Sequence, residues 1–143
     1  MKKALLLLTL TAASPALARD TVVMIKLADV MALPEAKQKL DGSVKFYLDG
    51  QKTPKVAKTL GNDVTNKKTN AVGKTDEFAC KWAALSALIA LQDGAKKNGA
   101  NAVVNVTSYY KKVEFKSATD IECHAGTMVA GVALKGDYAT IGK

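Results

Sequence analysis

Residues 76–106, DEFACKWAALSALIALQDGAKKNGANAVVNV, limit the possible folds more than any other part of the chain. They read as one long helix, a glycine stop and one buried strand. Thr75 is placed to cap the helix, and Asp76 and Glu77 put negative charge in the first turn, where the helix dipole favours it. Phe78, Trp82, Leu85 and Ile89 recur at helical spacing on one face. Cys80, Ala84, Ala87, Leu91 and Ala95 form an adjoining stripe, and Glu77, Lys81, Gln92 and Lys96 run along a polar edge. The small residues around Cys80 predict close approach of another backbone. Gly94 weakens the helix interior by up to about 1 kcal/mol. Lys96 and Lys97 suit a last turn, and Asn98-Gly99 is a C-cap pair. In the strand that follows, Ala102, Val104 and Val106 are expected to face one way, and Val103, Asn105 and Thr107 the other.

Around this unit the chain offers further elements. Residues 21–25, TVVMI, read as a strand. Residues 33–42 fit one or two helical turns, with Pro34 in the first turn and Gly42 at the end. Residues 44–50, VKFYLDG, alternate as a half-buried strand closed by an Asp-Gly turn. Residues 51–75 are rich in lysine and turn formers. Val56 and Leu60 with Gly61-Asn62 suggest a strand and a tight turn, with a polar return strand over 64–72; a flexible surface loop is the alternative. Residues 121–136, IECHAGTMVAGVALKG, read as one last long strand in which Met128, Ala130, Val132 and Leu134 share a face. Strand alternation sends Cys123 and His124 to opposite faces. The expected fold is a single α+β domain over residues 19–143, one long helix on a mostly antiparallel sheet that includes 101–110 and 126–135.

The first 18 residues stand apart. A short basic start, the apolar run ALLLLTLTAA and small residues at Ala16 and Ala18 match a secretory signal with cleavage after Ala18. The run is shorter than the roughly 20 apolar residues that span a bilayer, and the alternative is an uncleaved N-terminal anchor. Export predicts a periplasmic protein and an oxidising environment. The chain has two cysteines, and a Cys80–Cys123 disulfide is the expected use of them.

Removing Lys2 and Lys3 from the 21 basic residues leaves 19 against 13 acidic ones, a net charge of +6, with Arg19 the lone arginine. Lysine without arginine forks or interleaved aromatics does not match a nucleic-acid groove. The excess reads as a solvated basic surface, or as attraction to an anionic envelope component. Tyr109, Tyr110 and Phe115 with Lys111 and Lys112 make a candidate basic-aromatic contact surface, the alternative being a hairpin end with core and edge aromatics.

Catalytic motifs are not found. Gly73-Lys74-Thr75 precedes the helix, but Lys68 stands where a phosphate-binding loop has its first glycine. Glycine turn plus threonine cap accounts for the same residues. His124, the one histidine, lies beside Cys123, Glu122 and Asp120. It reads as a surface residue, with weak metal ligation the alternative; a metal site needs three or four converging ligands. No cofactor is implied.

From Cys80 to Leu134 the chain resembles the YbjQ-type small β-α-β-β family and, in the same layout, the RcsF-like domains of envelope-stress lipoproteins. An alanine-bearing helix, Gly99-Ala100-Asn101-Ala102-Val103-Val104, a tyrosine-bearing hairpin and a glycine-containing last strand carry the likeness. In RcsF-like domains a cysteine at the helix start is bridged to the hairpin and last-strand region, an arrangement Cys80 and Cys123 match. The YbjQ-type family carries a heavy-metal-binding label. The full chain is also similar to short exported bacterial proteins labelled "excinuclease ATPase subunit", an activity these residues do not support. The resulting expectation is a non-enzymatic binding or interaction protein of the periplasm, with an unknown envelope protein or anionic envelope component as partner. Weak metal or small-ligand binding is the alternative.

Overall fold

In a computed structural model, which describes residues 19–142, the elements run β1 (Thr21–Lys26), α1 (Leu27–Met31), α2 (Pro34–Lys39), β2 (Lys45–Leu48), β3 (Val56–Asn70), α3 (Asp76–Lys97), β4 (Ala102–Ser108), β5 (Asp120–Ala125) and β6 (Val129–Ile141). A single tight turn, Tyr110–Lys112, follows β4. The signal segment expected at residues 1–18 lies outside the described residues.

The long helix forms where its caps place it. The Thr75 hydroxyl accepts the Phe78 N–H at 3.2 Å, and the chain leaves the last turn through Asn98 and a left-handed Gly99, φ +74°. Its buried side is the alanine stripe together with Leu85, Leu88 and Leu91. The expected apolar arc is rotated: Phe78 remains 47% exposed, and Trp82 and Ile89 are half-buried. The alanines put the helix backbone close to the sheet, and each fully buried leucine contributes about 1.5–3 kcal/mol. Gln92, expected on the polar edge, is buried because the α2–β2 connection crosses over it. Its Nε2 donates to the Lys39 carbonyl at 3.1 Å and its Oε1 accepts from the Asp41 N–H at 3.3 Å.

The sheet is built on β6. Along one side of it β3 runs antiparallel from Val129 to Ile141. On the other side β5 pairs at Ala130 and Gly131, and β4 pairs from Leu134 to Ala139. Two arms therefore diverge from one strand, β5–β1 and β4–β2, and the sheet curls. Every pairing is antiparallel except β2 with β4. This is the expected α+β arrangement of one long helix on a mostly antiparallel sheet. Cys80 and Cys123 are bonded, with Cα atoms 5.8 Å apart, joining α3 to β5 across 43 residues. Both are fully buried.

Several local expectations are corrected. Residues 121–136 are two strands of a hairpin rather than one: the Gly126 N–H donates to the Val129 carbonyl at 2.8 Å and turns the chain. A Cβ at Gly126 would stand 3.0 Å from that carbonyl oxygen, so a glycine suits this turn. Residues 56–70 are one continuous strand with no tight turn at Gly61. Gly61, at φ +121°, instead sits at a register shift that bends the strand. The strand is polar because most of it is exposed, while backbone ladder bonds hold it regardless of side chain. In β4, Asn105 takes φ +53° and the register shifts between Val104 and Thr107. The alternation changes phase there. Val103 and Val106 both enter the main core, and Ala102 and Val104 pack with Ala139 on the opposite face. Alternation holds in β2, where Phe46 and Leu48 are buried along with the preceding Val44. Its Asp49-Gly50 turn leads to no hairpin, since β2 pairs parallel to β4. α2 stops at Lys39, before Gly42, and α1 is an additional short helix.

Candidate functional site

The alternation of β5 aims Cys123 at α3 and His124 at the opposite face. There the ladder sets four residues in one row across four strands: Lys68 of β3 opposite Gly131 of β6, Gly131 opposite His124 of β5, and His124 opposite Val22 of β1. Directly paired residues share a face, so Lys68 and His124 flank a position that has no side chain.

Tyr110 fills that position. After β4 the chain turns through Lys111 and Lys112 at φ +50° and +63°, a left-handed conformation that costs about 1–2 kcal/mol for each non-glycine residue. The turn lays the Tyr110 ring flat on the imidazole, with centroids 3.6 Å apart and planes 11° from parallel. A Cβ at Gly131 would already touch Tyr110 Cε2 at 3.8 Å, so a larger side chain there would displace the ring.

His124 is held from both sides. Its Nδ1 lies 2.7 Å from Asp20 Oδ1, and its Nε2 lies 2.5 Å from Glu122 Oε1. An imidazolium donates to both carboxylates, whereas a neutral ring has one N–H and satisfies one. The carboxylates approach different nitrogens and do not converge with the ring on a common point. Among the described residues, no group of three or more His, Cys, Asp and Glu side chains is placed to hold a metal ion. Cys123 is committed to its disulfide, and adjacent strand residues diverge.

Arg19, Asp20, Lys68, Tyr110, Lys111 and His124 line a groove of about 380 Å³, with Asp20 engaged by the imidazole. Arg19 is fixed by a two-point contact with Asp76, both bonds 2.8 Å, and by the Gly126 carbonyl at 2.9 Å. These hydrogen bonds raise the guanidinium pKa and hold the Asp76 carboxyl below its ordinary value. Lys111 Nζ sits 5.6 Å from the centre of the Tyr110 ring. Among the described residues neither Lys68 nor Lys111 has a carboxylate partner. The groove thus offers a pre-stacked aromatic pair with unpaired cations at its rim.

The contact surface expected from the sequence is divided by the turn. Tyr110 and Lys111 join His124 in the groove; Lys112, next in the chain, is exposed and does not line it. Tyr109 lies elsewhere, with Lys135 Nζ 5.0 Å from its ring centre. Phe115 is half-buried and folded back on β4, its N–H donating to the Ser108 carbonyl at 2.9 Å. Arg19 and Lys68 were missed because no local motif marks them; strand pairing brings Lys68 in. At the Gly73-Lys74-Thr75 stretch, Thr75 caps α3 and Lys74 Nζ donates to the nearby Asn70 carbonyl at 3.2 Å.

A second polar groove, about 410 Å³, is lined by Asp49, Asp63, Asn105, Glu114, Lys135 and Asp137, among others. Each of its carboxylates already has a polar partner, Asp49 being 3.9 Å from Lys116. Glu114 pairs with Lys135, Asp63 accepts the Tyr138 hydroxyl at 3.0 Å, and Asp137 accepts the Asn105 amide at 3.0 Å. It has less to offer a ligand than the groove around His124.

Among the described residues no helix is long and apolar enough to cross a membrane. No protein-family model, no curated protein and no solved structure matches the chain.

Proposed function

We propose that the protein is an exported, non-enzymatic interaction module of the periplasm that binds an acidic partner of the cell envelope through the groove around Tyr110 and His124. The observation that carries this reading is the row Lys68–Gly131–His124 with Tyr110 stacked on it and Lys111 beside it. The aromatic pair is already assembled, so a partner has little side-chain entropy to remove on docking. The lysines attract negative charge and are free to exchange solvent for a carboxylate or phosphate. The signal-like first 18 residues and the buried disulfide support an oxidising compartment, and the resemblance of residues 80–134 to RcsF-like domains, noted from the sequence, agrees with an envelope role.

Crosslinking in the native envelope tests the reading. A photo-crosslinker placed at Lys112, next in the chain to Lys111 of the groove, is expected to capture an acidic partner. The capture should weaken with salt and disappear in the doubly charge-reversed Lys68→Glu/Lys111→Glu protein. Undiminished capture by that variant would remove the groove as the binding surface.

A further inference from the structure

A separate apolar groove lies at the other end of the molecule. Two hollows, about 370 and 500 Å³, lie next to each other along α1, with Leu27 and Met31 in the walls of both. Each falls within the roughly 300–1,000 Å³ of ordinary ligand sites. The walls of the first are Ala36, Leu40, Val44 and Phe46, from α2 and the start of β2. The second runs along Ala28 to Ala118 and Thr119.

The charged residues that line this groove have one sign. Lys37 and Lys45 line the first hollow and Lys26 the second, and no carboxylate lines either. Asp41, which follows Leu40, is turned away to Lys96 and Ser43. Asp29 and Glu35 belong to α1 and α2 but do not line the hollows. Asp120 pairs with Lys26 in the ladder and likewise stays outside the lining, its Oδ1 buried without a hydrogen-bond partner. Met31, 38% exposed at the junction, has an unbranched, polarisable side chain that can move aside or fold over an apolar chain.

We propose that this groove binds a long-chain fatty acid, with the alkyl chain along Leu27, Met31 and Phe46 and the carboxylate met by the lysines at the rim. Charge complementarity selects the occupant. Apolar walls alone would accept any hydrocarbon, and lysines alone any anion; their combination without a competing carboxylate fits a single-chain anionic amphiphile. The site is distinct from the groove around His124 and does not depend on it.

Displacement of a fluorescent fatty acid by oleate, below the micellar concentration, tests this on the exported chain. Saturable one-to-one binding is expected. Met31→Glu, which sets a carboxylate at the junction, should weaken it by about tenfold or more, and Lys37→Glu/Lys45→Glu by about the same factor. The lysine substitutions are on exposed positions, so they carry the test if Met31→Glu unfolds. Lys68→Glu, in the other groove, should leave oleate binding unchanged. An alcohol of the same chain length should bind more weakly than oleate and be insensitive to the lysine substitutions. Any of four results would overturn the proposal: no saturable oleate binding, equal affinity for the alcohol, full affinity in the lysine variant, or association with phospholipid vesicles only.

Discussion

The hydroxyl of Tyr138 occupies the space where a side chain at Gly94 would begin. A Cβ built on Gly94 would stand 1.9 Å from that oxygen and 2.7 Å from the ring carbon bearing it. By helix propensity Gly94 is a defect, and alanine there should gain about 1 kcal/mol. Packing reverses the sign. Gly94→Ala is expected to destabilise by about 1–3 kcal/mol as β6 and α3 are forced apart. Tyr138→Phe should recover part of that loss by removing the nearest atom. A double-mutant cycle in urea checks it, and additive effects would contradict the contact.

The same tyrosine gives an alkaline signature. Burial, and then its hydrogen bond to Asp63, push the Tyr138 hydroxyl from 10.0 up to about 12. Unfolded, it ionises near pH 10, whereas the native protein keeps the proton. Between these values the unfolded state binds fewer protons, so stability falls as pH rises through the window and the contribution is complete below it. Phenolate absorbance should show one of the four tyrosines ionising late, and Tyr138→Phe should abolish that late step. A late step that survives Tyr138→Phe would contradict it.

The Cys80–Cys123 bond closes a loop of 43 residues, which contributes about 4 kcal/mol in the chain-entropy account. Reduction under mild denaturation, or replacement of both cysteines by alanine, should lower Tm by about 10–20 °C. Neither sulfur should react with thiol reagents in native, unreduced protein, because both residues are fully buried. Unchanged melting after verified reduction would show that the cross-link adds nothing to stability.

Arg19 and Asp76 set an acid limit. Hydrogen bonds from Arg19 hold the Asp76 carboxyl below its ordinary 3.8. The contribution is therefore present above that value and is lost as pH falls through the lower, folded value. Arg19→Gln should be less stable than the parent at neutral pH, and the gap should close as the carboxyl is protonated. Urea midpoints across pH 2–7 measure this, and a gap that persists at the acid end would point to packing rather than the ion pair. Because Arg19 also binds the Gly126 carbonyl, the variant should loosen the β5–β6 turn in hydrogen exchange.

The parts legible in the sequence depend on local chemistry. Thr75, Asn98 and Gly99 mark the ends of α3 through bonds made within a turn, and two cysteines leave one intramolecular pairing. The alternation of residues 44–48 also survives in the fold. What escaped depends on residues far apart in the chain. β3 is held by backbone pairing to β6, and its polar side chains give no sign of that. The left-handed Asn105 shifts β4 by a half-period, a backbone event that asparagine permits but does not announce. Tyr109 and Tyr110 looked like one patch as neighbours, and the turn after β4 sends them apart. Lys68 meets His124 only through the register of three strands.

The covalent anchor and the groove's imidazole belong to consecutive residues. Cys123 fastens β5 to the helix from behind while His124 presents the other surface, so a single peptide link separates the rivet from the plate it secures. Whatever lands on that plate meets something stiff, and the strain of docking passes straight into the helix. The β4–β2 arm, which supplies Lys45, Phe46 and Tyr47 to the first hollow, has no covalent tie to the helix.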